Sequence, residues 1–123
     1  MSKVVIVEDS PSQAAIIAQL VKGLGFEVAS FTEVSKSLVP SIVALNPQYL
    51  LLDLNLLGAD GKPLADGFQI CKEIKRLKGT IKVIIITSND DEASVEWAKL
   101  QGADGYVKKP FSAVDLKDAI DRS

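Results

Sequence analysis

The reactive groups of this sequence are carboxylates, hydroxyls and a lysine, and they fall at the ends of short aliphatic runs. Glu8-Asp9 follows Val4–Val7, Asp53 follows Tyr49–Leu52, Thr87-Ser88 follows Val83–Ile86, and Lys109 comes soon after Gly105–Val107. With no histidine in the chain, a Ser-His-Asp triad, His-ligated zinc and a phosphohistidine carried by the chain itself are all excluded. Carboxylates gathered at one place repel, and a hard divalent cation relieves that repulsion. Mg²⁺ suits such a site, since it takes oxygen ligands at about 2.0–2.1 Å and combines few carboxylates with a phosphate oxygen. Acids, a hydroxyl and an ammonium together suit phosphoryl chemistry, in which a protein mainly positions groups and neutralises charge, and an Asp carboxylate is a competent nucleophile for it. Taken singly, each group has a plainer role: a Glu-Asp pair in a solvated turn, Asp53 opening a loop, Thr87-Ser88 capping a helix that starts near Asp90. Their joint placement at successive run ends favours the chemical role.

The elements that must position these groups are an alternation of short apolar runs and longer helical patterns, which predicts a parallel sheet covered by helices on both faces. The strands are expected at Val4–Val7, Glu27–Phe31, Tyr49–Leu52, Val83–Ile86 and Gly105–Val107. A strand buried on both faces reads as a continuous aliphatic run, so the mixed Glu27–Phe31 belongs at an edge. Ser10 as N-cap, Pro11 at the first helical position and Gln13 completing a capping box open the first helix. Ile17, Leu20, Val21 and Leu24 give it one apolar face, and Gly25 stops it. Further helices are expected over about 35–45, 67–78, 91–101 and 112–122. In an open parallel sheet, ligands bind beyond the carboxyl ends of the strands near the switch in strand order. If strands one, three, four and five are neighbours, the acids, Thr87 and Lys109 converge on one rim.

At 123 residues, 47% apolar and 24% charged, the chain is the size of one domain, expected to span residues 1–123. The 14 basic and 16 acidic residues leave a net charge of −2 with no basic cluster, which argues against direct nucleic-acid or membrane-surface binding. No leader-like or membrane-spanning run is visible, and a single Cys71 precludes an internal disulfide, so a cytoplasmic location is expected. Cys71, close to Ile70 and Ile74, is expected to be a small buried thiol.

Val7-Glu8-Asp9-Ser10, Leu51-Leu52-Asp53-Leu54-Asn55, Ile85-Ile86-Thr87-Ser88 and Gly102-Ala103-Asp104-Gly105-Tyr106-Val107-Lys108-Lys109-Pro110-Phe111 together resemble the response-regulator receiver family over essentially the whole chain. The resemblance implies a flavodoxin-like (βα)₅ doubly wound fold, with five parallel strands in the order 2-1-3-4-5. It implies that Asp53 accepts a phosphoryl group from a phosphohistidine on a sensor histidine kinase or histidine phosphotransfer protein, and that the chain turns over no separate substrate. Mg²⁺, with Mn²⁺ as a substitute, would be held by Asp9, Asp53 and the Asn55 carbonyl, with Glu8 acting directly or through a metal-bound water. Lys109 would pair with the phosphoryl group, leaving Lys108 a solvated charge, and the Lys109–Pro110 bond resembles the family's cis peptide. Thr87 resembles the switch hydroxyl and Tyr106 the aromatic that follows it, so the surface of the fourth helix, fifth strand and fifth helix is the expected output face for a downstream protein. Asn55 and Asn89 resemble positions that tune phosphoryl lifetime.

Two features depart from the family pattern. Leu57 stands where a Pro is frequent, and Asp60-Gly61 and Asp66-Gly67 both look like the single Asp-Gly that precedes the third helix, so Ala59–Leu64 reads as an insertion beside the site, expected to be a passive surface loop, with gating of access or contact with the donor the other reading. Trp97 is expected to pack on the sheet, with a role as an interface anchor the other reading. The stretches 8–13 and 97–103 are similar to single-domain regulators of pilus-driven twitching motility. The rivals are a phosphatase of the haloacid-dehalogenase type, a flavin-binding electron carrier, and a receiver-like interaction module that works without phosphorylation. The first resembles Asp-x-Asp where this chain has Asp53-Leu54-Asn55. The second cradles phosphate in a first loop that here bears Glu8 and Asp9.

Overall fold

The computed structural model describes residues 3–8, 10–32, 37–53, 67–87, 102–108 and 111–122, the side chains of 67–69 and 87 excepted. Five strands, β1 (Lys3–Val7), β2 (Glu27–Phe31), β3 (Tyr49–Asp53), β4 (Lys82–Thr87) and β5 (Gly105–Lys108), form one sheet in the order β2-β1-β3-β4-β5, with every pairing parallel. The mixed strand β2 is at an edge, as its composition requires, and β1, β3, β4 and β5 are consecutive neighbours. This is the flavodoxin-like order expected from the resemblance.

Strand alternation divides the core in two. Val5, Val7, Leu50, Leu52, Val83 and Ile85 face α2 (Leu38–Leu45) and α3 (Gly67–Leu77). Val4, Ile6, Leu51, Ile84, Ile86 and Val107 face α1 (Pro11–Gly23) and α4 (Ala113–Arg122). Because β1, β3 and β4 send aliphatic side chains to both layers, they read as unbroken Val/Ile/Leu runs, and most of these side chains are fully buried.

Helix ends follow local chemistry. Ser10 Oγ accepts the Gln13 N–H at 3.4 Å, and Pro11 occupies the first turn, where its missing N–H has no cost. Ala14, Ile17 and Val21 are buried, with Leu20 and Leu24 partly buried against the same cluster, and the chain leaves α1 through Gly25 at φ +98°. At α4 the Ser112 hydroxyl accepts the Asp115 N–H while the Asp115 carboxylate accepts the Ser112 N–H, a reciprocal box. The helix expected over 91–101, Trp97, Leu57 and the 59–64 insertion lie outside the described residues.

Candidate functional site

Register brings the strand ends level. Val7 pairs with Leu52, so Glu8 and Asp53 are each the next residue on adjacent strands. Asp53 pairs with Ile86, one position before Thr87, and Thr87 pairs with Lys108. Glu8, Asp53, Thr87 and Lys108 therefore cross four neighbouring strands within one residue step along the strand direction, on the carboxyl rim. Lys108 is exposed, and Lys109 is the next residue in the chain. Tyr106 is half-buried on β5, paired with Ile85. Asp9, Asn55, Ser88, Asn89, Lys109 and Pro110 lie outside the described residues, as does the side chain of Thr87.

Glu8 is 2% exposed and Asp53 1%, the buried charged side chains among the described residues. Each buried charge costs several kcal/mol of hydration, so its surroundings must return part of that. For Glu8, Oε1 accepts the Ser10 N–H at 3.2 Å, and the carboxylate stands at the N-terminus of α1, where the helix dipole favours an anion. Its own N–H donates to the Phe31 carbonyl at 3.0 Å, which ties the turn after β1 to the end of β2. Two carboxylates held out of water at the ends of adjacent strands form a hard-oxygen donor set of the kind Mg²⁺ takes, so the residues present fit that ion.

A second charged cluster, which the sequence did not reveal, occupies the opposite, amino rim. Lys75, in the last turn of α3, donates from Nζ to the Gly79 carbonyl at 3.0 Å, the Ile81 carbonyl at 3.0 Å and Asp104 Oδ2 at 2.9 Å. Asp104 Oδ2 also accepts the Val83 N–H at 2.9 Å, and the Asp104 N–H donates to the Val83 carbonyl at 2.8 Å. Asp104 falls inside the Gly102–Phe111 stretch that carries the family resemblance, but nothing in the sequence pairs it with Lys75, a basic residue at an ordinarily solvated helix end 29 positions away.

Comparison with known proteins agrees with this architecture. Residues 4–121 match the model of the response regulator receiver domain. The chain is 30% identical over 114 residues to the DNA-binding response regulator MtrA of Mycolicibacterium smegmatis, covering 93% of this chain and 46% of that protein. It is 27% identical to the chemotaxis protein CheY-3 of Vibrio cholerae, over 98% of this chain and 89% of that one. The chain thus spans about half the length of the first relative and most of the second. The fold superimposes on the chemotaxis protein CheY4 of Vibrio cholerae with a TM-score of 0.84 at 21% identity, covering 99% of this chain and 98% of that one. With 118 of its 123 positions inside the family match, the chain belongs to the response regulator receiver domain family of two-component signalling proteins.

Proposed function

We propose that the chain is a phosphoryl-accepting switch in which Asp53 is the acceptor. The observation that carries this reading is the placement of Asp53: a carboxylate 1% exposed, at the carboxyl end of the central strand β3, level with buried Glu8 on β1. An Asp53 carboxylate oxygen attacks the phosphorus of a phosphohistidine on a partner kinase or phosphotransfer protein, forming an O–P bond as the N–P bond breaks and its electron pair returns to the imidazole. Glu8, Asp9, Asp53 and the Asn55 carbonyl would hold Mg²⁺, which when bound neutralises charge on the transferring oxygens.

Lys109 supplies the second positive charge toward the phosphoryl oxygens, and the Thr87 hydroxyl a hydrogen bond to them. Asn55 and Asn89 set the access of the water that later hydrolyses the acyl phosphate. The new group brings a charge near −2 and fresh acceptor oxygens, which gives Thr87 and then Tyr106 a reason to rearrange. The surface of the 91–101 segment, β5 and α4 carries that change to a protein partner. In this reading residues 1–123 act as a single receiver unit in the cytoplasm.

The test is intact-mass measurement after incubation with phosphoramidate or acetyl phosphate and Mg²⁺. One added phosphoryl group is expected, and none in Asp53→Asn. No addition to the wild type, or equal addition to the variant, overturns the reading and leaves an interaction module that works without phosphorylation.

A further inference from the structure

The edge strand β5 is four residues long, and Val107 is its one buried side chain. Such a strand is poorly specified by hydrophobic pattern, and a slip of one residue on β4 would carry everything after it by about 3.3 Å. Apart from the seat of Val107 in the cluster with Leu116 and Ile120, its register needs a further anchor. Asp104, the residue immediately before β5, meets Val83 twice: its N–H donates to the Val83 carbonyl and its Oδ2 accepts the Val83 N–H. Lys75 braces that carboxylate from α3 at 2.9 Å, with the Gly79 and Ile81 carbonyls holding the ammonium in place. Gly102, at φ +93°, lies under the Lys75 stem, where an added Cβ would stand 3.3 Å from Cγ. The pairs Ile84–Gly105, Ile85–Tyr106, Ile86–Val107 and Thr87–Lys108 all run onward from this anchored point.

We infer that Asp104, braced by Lys75, is a positioning residue: by fixing the register of β5 on β4 at the amino rim, it sets how far β5 reaches at the carboxyl rim, where Lys108 pairs with Thr87, and so the point from which Lys109 follows in the chain. This rests on the reading of Asp53 as phosphoacceptor. The Mg²⁺ ligands of that reading belong to β1, β3 and the residues that follow them, so Asp104 governs phosphoryl transfer without governing metal affinity.

The experiment measures the rate of phosphorylation by phosphoramidate, and the Mg²⁺ affinity by calorimetric titration, in wild type, Asp104→Ala, Asp104→Asn, Lys109→Ala and the Asp104→Ala/Lys109→Ala double variant. Asp104→Ala is expected to slow phosphorylation about ten- to a hundredfold, the scale of a misplacement near 1 Å, with Mg²⁺ affinity within about twofold of wild type. Asp104→Asn keeps an acceptor for the Val83 N–H and recovers most of the rate. On the Lys109→Ala background, Asp104→Ala costs less than about twofold, because the two act through one group. Should Asp104→Ala fail to fold, Lys75→Met, which removes only the brace, carries the same comparison with a smaller loss. A wild-type rate in either folded variant, a parallel loss of Mg²⁺ affinity, or an undiminished cost on the Lys109→Ala background overturns the inference. A wild type that takes no phosphoryl group instead overturns the acceptor reading beneath it.

Discussion

The two rims of the sheet handle charge in opposite ways. At the carboxyl rim, Glu8 and Asp53 bring like charges into positions 2% and 1% exposed, at the ends of adjacent strands. At the amino rim, Lys75 and Asp104, each with a side chain 20% exposed, join opposite charges at 2.9 Å, and Lys82 adds a more distant contact at 4.0 Å. The amino-rim cluster also closes its hydrogen bonds on backbone groups of the α3–β4 turn and of β4, so it serves shape. The carboxyl rim instead places two carboxylates out of water side by side, and burying an ionisable group carries a hydration cost that proteins often keep where binding or chemistry uses it. In the proposed reading, fold stability and reactivity thus fall at opposite ends of the same strands.

The largest expected effect comes from cancelling the carboxyl-rim charge. Asp53→Asn removes the proposed acceptor, so phosphoryl addition is expected to fall to nothing, yet it also replaces one of two buried carboxylates by a neutral amide. Unfolding by urea without Mg²⁺ is expected to show the variant more stable than wild type, by on the order of 1 kcal/mol. Adding Mg²⁺ at ten times its dissociation constant should stabilise the wild type by about 1.4 kcal/mol and the variant much less. A variant less stable than wild type in the absence of metal would mean that the rim does not store the repulsion assigned to it.

The amino rim should respond in the reverse sense. Lys75→Ala leaves the Asp104 carboxylate and the Gly79 and Ile81 carbonyls short of a donor and is expected to cost about 2 kcal/mol, with no gain from Mg²⁺ beyond that of wild type. The urea midpoint reads the loss, and an unchanged midpoint would reduce the cluster to an ordinary surface pair. Gly102→Ala strikes the same cluster through the backbone. At φ +93° an alanine is strained, and its Cβ would press on the Lys75 stem, so about 1–2 kcal/mol is expected to be lost.

How legible each rim was in the sequence follows from the range of the forces that build it. The strands could be read because β1, β3 and β4 are buried on both faces and therefore unbroken in aliphatic character, and β2 betrayed its edge position through Glu27 and Ser30. Ser10 and Pro11 announced α1 because capping acts over three residues. The carboxyl rim was legible in outline because strand ends are local features and parallel order makes them coincide, which is enough to set Glu8, Asp53 and Thr87 at one end of the sheet. Lys75 and Asp104 were invisible for the complementary reason. Nothing within ten residues of either distinguishes a lysine that folds back on its own turn from one that points into water, and their meeting depends on α3 and β5 arriving at the same end of β4.

The smallest effect links that cluster to the core. Burial pushes the Cys71 thiol up from its ordinary 9.0 to about 11, while Lys75 pulls it down and Asp104 pushes it up. In the unfolded chain the thiol ionises near pH 9, whereas the folded protein holds its proton to about pH 11. Across that window the unfolded state binds fewer protons, so folding stability falls as pH rises, by on the order of 2–3 kcal/mol from this group. Other groups titrate there too, so the measurement is the difference between wild type and Cys71→Ala, which should shrink between pH 9 and 11; parallel curves would remove the thiol from the account. Lys75→Met should move the window upward and Asp104→Asn downward, since the first takes away a cation and the second an anion. Opposite shifts from two partners in one salt bridge would show their fields reaching the core separately, whereas a common shift would mean that both variants act only by loosening the packing of α3 on the sheet.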